Sequence, residues 1–258
     1  MLRLFRIDTP RKVDTSHLEV SHAGEEFRVA LKRVTGARRF TLRVRSATRD
    51  VVLTMPVRSS LVSAREFVER HTAWIGARLN RLPRPVPFET GAILPLRGVN
   101  HVILHRPDLR GNVWVDTDVA LNVEAEHAIS VSGEAPHLSR RVLDYLRREA
   151  RRDLEAAVRK HTATIGVAAR RVTVRDTVSR WGSCSASGGL NFSWRLILAP
   201  PFVLDYLAAH EVAHLVHLNH SPKFWALTRK LSPDTDRAEA WLKAHGASLH
   251  RFGGVEAD

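Results

Sequence analysis

Residues 210–225 read HEVAHLVHLNHSPKFW. His210 and His214 are four apart, so on a helix both imidazoles leave the same face and can reach one cation. Glu211 lies about 100° further round, beside the metal rather than on it. There it can take a proton from a metal-bound water. Val203, Leu204, Leu207, Ala208, Val212, Ala213, Leu215 and Val216 surround these polar residues, so the pattern predicts a helix buried nearly all round. Burying His210, Glu211 and His214 together without a cation would leave costly unmet polarity.

Zinc in a hydrolase usually takes three protein ligands and keeps one position for water. Two histidines compete for the third place. His217 continues the stripe of His210 and His214, but it would lie roughly 10 Å along the axis from His210. His220 is better placed. Asn219 reads as a left-handed cap that ends the helix near Leu218, and Ser221-Pro222 as the start of the next helix. His220 would then sit in a tight turn and fold back toward the metal. His217 stays as the alternative, or as a second polar group at the cleft.

Upstream of this helix, residues 138–163 predict a long amphipathic helix. Leu138, Val142, Tyr145, Leu146, Ala150, Leu154 and Val158 form its apolar stripe. Its other face carries Arg140, Arg141, Arg147, Arg148, Arg151, Arg152, Arg159 and Lys160, either as a solvated face or as a footprint for a polyanion. A strand RRVTVRD comes next, then TVSRWGSCSASGGLNFSWRLILAP, with Ser187-Gly188-Gly189 turning one strand onto the next. Downstream, FWALTRKL and DRAEAWLKAHG read as two more helices, and the tail after Gly253 as frayed.

The N-terminal half is β-rich. HLEVSH, EFRVALKRV, RFTLRVRS and DVVLTMP alternate as strands. A single helix succeeds them, capped by Ser63 with Glu66 completing a capping box, and Phe67, Trp74, Ile75 and Leu79 facing its core. Short strands return at AILPLRG, HVILHR, NVWVD, ALNV and AISVS. The class expected is α+β: a β-rich region at 1–136 with one embedded helix, then a metal-helix domain at 137–258.

The chain has 258 residues, 44% hydrophobic and 26% charged, as in ordinary globular proteins. Its single cysteine, Cys184, excludes an internal disulfide and a cysteine-built zinc finger. The opening MLRLFRIDTPRKVD has no secretion-signal core, and no run reaches the ~20 apolar residues of a membrane span. A cytoplasmic protein is expected. The net charge of +13, mostly arginine, suggests DNA or another polyanion as a partner, or else arginine replacing lysine throughout.

RWGSC at 180–184 and LNFSWRLILAPPFVLDYLAAHEVAHLVHLNHSPKFW closely resemble the YgjP-like metallopeptidase domain, a family related to the SprT-like and WLM (Wss1-type) proteases. The likeness is strongest at about 170–245, weakest at 86–136, and includes RFTLRVRSATRDVVLTMP and the helix ending HTAWI. It implies a minimal zincin-like fold, with a small sheet packed on the HExxH helix, and Zn2+ as cofactor. His210, His214 and His220 match the family's ligands, and Glu211 its catalytic glutamate. Metzincins share the spacing to the third histidine but carry glycine where this chain has His217, and neither Met1 nor Met55 is placed for a Met-turn.

In RWGSC, Gly182 would permit a special backbone angle and Trp181 could wall the cleft. Arg180 could hold a carboxylate or stabilise an oxyanion, or the motif could only brace the strand. Cys184 reads as a small buried residue. Tyr206, one turn before His210, could border the site or pack, whereas Phe224, Trp225 and Trp241 read as core. The reaction expected is hydrolysis of a protein or peptide, with Glu211 moving the proton and the substrate paired to an edge strand near 189–194. The alternatives are a protease recruited to DNA, a nucleic-acid-binding module with structural zinc, and a hydrolase of a non-peptide amide.

Overall fold

The alternation at 17–56 forms four strands, β1 (His17–His22), β2 (Glu25–Val34), β3 (Thr41–Val44) and β4 (Val51–Pro56). The computed structural model, which describes residues 17–45, 48–117, 125–177 and 179–253, joins them in the order β1-β2-β4-β3. The β2–β4 pair is parallel and the others antiparallel. Period-two alternation sends Val20, Phe27, Val29, Leu53 and Met55 into one core.

The helix expected after this sheet is two helices, α1 (Leu61–Glu69) and α2 (Thr72–Asn80). Ser60, not Ser63, caps the first, accepting from the Ser63 amide at 3.0 Å. Side chains account for the break. His71 Nδ1 bonds the Phe67 carbonyl at 2.7 Å, and the Thr72 hydroxyl donates to the Glu69 carbonyl at 3.0 Å. Both satisfy carbonyls that the helix would otherwise use. Ile75 is buried, and Phe67 and Leu79 pack against the same core. Trp74, also expected there, is 46% exposed, because the buried side of α2 runs through Thr72, Ile75 and Gly76.

Packing divides the chain into Met1–Leu82 and Pro83–Asp258. The second unit begins with β5 (Ile93–Leu96), β6 (Val99–His105), β7 (Val113–Asp116) and β8 (His127–Val131), in the order β5-β6-β8-β7. The division expected at 136–137 tracks the change from strands to helices. Packing instead joins this sheet to the C-terminal helices, since Leu94, Ile103 and Ile129 share a core with Leu146, Leu154 and Leu207. The expected strand ALNV, the N-terminal segment 1–16 and the tail beyond Gly253 lie outside the described residues.

Helix α3 (Leu138–Ile165) buries the predicted stripe and stops at Gly166, whose φ of 68° only glycine adopts readily. Three short strands come next: β9 (Arg171–Arg175), β10 (Gly182–Cys184) and β11 (Gly189–Ser193), ordered β10-β11-β9. The stretch near 189–194 is therefore the centre of this sheet, not an edge. The edges are β9 and β10. Helices α4 (Pro201–Ala213), α5 (Pro222–Leu231) and α6 (Thr235–Leu249) complete the unit. Among the described residues, no helix is long and apolar enough to cross a membrane.

Candidate metal centre

Pro201 at the first turn starts α4, and Val203, Leu207, Ala208, Val212 and Ala213 bury it. The helix ends one turn earlier than expected, at Ala213 with His214 as its cap. The next amides bond three residues back, Leu215 to Val212 at 3.0 Å and Val216 to Ala213 at 3.1 Å, so the last turn tightens. Asn219 is not left-handed; among the described non-glycine residues, only Ala23, Arg49 and Arg97 have positive φ. The early stop takes His217 off the helix stripe and brings His220 back over it.

The three ring nitrogens of His210, His214 and His220 that could bind a metal lie within 4.8 Å of one another. His210 Nε2 and His220 Nε2 face each other at 3.2 Å. Two nitrogens bound tetrahedrally at zinc distances stand about 3.3 Å apart, so the spacing suits that ion. The ring of His217 stays outside this cluster. Its carbonyl accepts a bond from His214 Nδ1 at 3.0 Å, which leaves the His214 Nε2 lone pair available.

Burial, helped by the two neighbouring histidines, pushes the His210 pKa down to about 4. Burial also lowers that of His214. Neutral imidazoles are what a divalent cation requires. Glu211 is 4% exposed, and its Oε2 is buried without a hydrogen-bond partner among the described residues. Burial lifts its carboxyl to about 7 against the opposing charge of Arg180. An unpaired buried carboxylate oxygen beside three gathered imidazoles fits a cation and a water better than it fits a plain core.

Gly182 has a role that its spacing did not reveal. It is not among the positive-φ glycines, so the special angle expected of it is not the reason for glycine. A Cβ here would collide with Glu211 Oε1 and stand 2.8 Å from its Cδ and Cγ. Edge strand β10 can pass over the carboxylate only as bare backbone. Trp181, read in the sequence as a cleft wall, packs toward α6. It stacks on His250 at 4.9 Å and packs against Gly246 of α6, bracing β10. Arg180 is exposed and close enough to Glu211 to favour its ionised form. Cys184 is half-buried, and burial together with the Glu211 charge pushes its thiol up.

Phe224 is more than the plain core residue its sequence context suggests. It is fully buried, and it is also the floor of the site, with its ring 4.9, 4.4 and 4.7 Å from those of His210, His214 and His220. The Ser221 cap and Pro222 set this geometry by starting α5 just after His220. Trp225 adds a side wall, 5.7 Å from both His210 and His220. Tyr206 is buried and bonds Glu239 of α6 at 3.0 Å and His210 Nδ1 at 3.4 Å. No local spacing announces Glu239, because it meets α4 only through the packing of α6.

The YgjP-like metallopeptidase domain matches residues 38–245. Among solved structures, the chain is similar to the metallopeptidase zymogen abylysin of Pyrococcus abyssi. The identity is 21%, over 38% of this chain and 97% of that one, with a TM-score of 0.33. No curated protein matches this chain.

Proposed function

Since the chain belongs to the YgjP-like metallopeptidase family, we propose that it hydrolyses peptide bonds with Zn2+ held by His210, His214 and His220 and with Glu211 as general base. The observation that carries this reading is the gathering of three ligand nitrogens within 4.8 Å beside a buried carboxylate oxygen that has no partner among the described residues. An all-imidazole set favours zinc over magnesium or calcium. When bound, the ion supplies Lewis acidity toward a carbonyl oxygen and lowers the pKa of water.

The chain's residues do the rest. Glu211 takes a proton from the attacking water at its free Oε2 and returns it to the leaving amine. Gly182 lets β10 lie against this carboxylate and keeps it aimed. The outer edge of β10 is free of strand partners among the described residues and borders the site, so an extended peptide would add there. The exposed Arg180 beside Glu211 is proposed to stabilise negative charge on the substrate. His217 contributes its carbonyl, which orients His214.

Glu211→Gln is expected to retain one equivalent of zinc by elemental analysis. It should lose about 10²–10⁴-fold in kcat/KM on an unfolded protein substrate. Cleavage at the parental rate would overturn the proposed role of Glu211. His210→Ala should lose the metal.

A further inference from the structure

We propose that Tyr206 and Glu239 are a positioning pair that sets the tautomer and ring orientation of His210, so that metal affinity depends on α6, a helix that supplies no ligand. This rests on the reading of His210 as a ligand. Tyr206 precedes His210 by one turn of α4, and its ring meets the imidazole edge-on at 5.7 Å.

The hydrogen bonds have one consistent direction. A carboxylate only accepts, so the phenol donates its one hydrogen to Glu239 Oε1 at 3.0 Å. The phenol oxygen then offers lone pairs to His210 Nδ1 at 3.4 Å, and Nδ1 must carry the ring proton. That leaves the lone pair on Nε2, the nitrogen facing His220 at 3.2 Å. The hydroxyl meets His210 at Nδ1, not at the Nε2 that faces His220, so the contact of Tyr206 is with the ligand ring. A carboxylate acting on a ligand histidine through an intervening hydroxyl also raises the basicity of that ligand.

The test measures zinc dissociation by competition with a chromophoric chelator for the parent, Tyr206→Phe, Glu239→Ala, the double variant and His210→Ala. The Co2+-substituted absorption spectrum provides a second readout. Tyr206→Phe is expected to weaken zinc binding about tenfold or more and to shift the Co2+ bands, with the fold retained. Glu239→Ala should weaken binding in the same direction, and the double variant should be no worse than Tyr206→Phe, because Glu239 acts through the phenol. Glu239→Gln, which can still accept from the hydroxyl, should recover part of the loss. Zinc affinity within twofold of the parent in Tyr206→Phe overturns the proposal, as does full additivity of the two variants. If Tyr206→Phe does not fold, Glu239→Ala, altered only at an exposed position, decides alone. Retention of stoichiometric zinc by His210→Ala would instead overturn the ligand assignment itself, so the two failures are distinguishable.

Discussion

Glu211 stores a cost that its proposed chemistry explains. Its folded pKa is raised from 4.5 to about 7 by burial, so the folded state holds a proton that the unfolded state releases. Its contribution to stability is complete below about 4.5 and is lost as the pH rises through about 7. Metal-free Glu211→Gln should therefore melt higher than the metal-free parent at about pH 8, by the order of 1–3 kcal/mol, with the gap closing toward pH 4.5 in thermal scans. His250 acts with the opposite sign. Burial and the Arg195 charge lower it to about 4, so its contribution is present above about 6.5 and lost as the pH falls toward 4. His250→Gln should flatten that acid limb. Gly182→Ala should keep its zinc, lose at least about tenfold in kcat/KM as Glu211 is pushed aside, and cost about 1–3 kcal/mol from overpacking. The need for glycine at 182 comes from a neighbour that is distant in sequence, so only the space around it reveals the reason.

At the scale of elements, α4 and α5 build the site between them. The residue types at 210, 211 and 214 were readable because a helix has a fixed period. That His220 comes back beside His210 and His214 was readable from Ser221-Pro222, but the route was not. The helix stops at Ala213 and its last turn tightens, whereas the sequence pointed to a left-handed Asn219. Phe224 under three imidazoles makes α5 part of the candidate metal centre. Phe224→Ala should cost about 3–5 kcal/mol in denaturant unfolding and weaken zinc binding, while Phe224→Leu should stay below about 1.5 kcal/mol. Equal zinc affinity in the two variants would show that the floor does not shape the ligand set. The same limit applied at 61–80, where periodicity ran straight through a break made by His71 and Thr72 bonding to nearby carbonyls.

Across the described residues, the strand and helix order tracks the sequence pattern except at 61–80, where one expected helix is two, and the α+β class holds. The arginine surplus is distributed less simply. On α3, Arg140, Arg151, Arg152 and Lys160 pair with Asp144, Glu155, Glu149 and Asp205, so part of the basic face is locally neutralised. Contact with DNA remains a proposal that rests on the net charge of +13. Duplex binding should weaken at least about tenfold between roughly 50 and 200 mM salt in an anisotropy titration. Cleavage that is stimulated by DNA would make this recruitment, whereas cleavage indifferent to it would leave the charge to solubility.

The sequence alone determined what recurs with a short period: which residues face inward, where the imidazoles stand on one helix face, and the motif that marks the family. Tertiary structure alone decided what depends on distant neighbours. It placed a carboxylate under a glycine strand, a phenylalanine beneath three histidines and a glutamate of α6 behind Tyr206. The physical reason is range. Periodicity acts over one or two helical turns, while packing and burial join residues whose separation along the chain carries no signal.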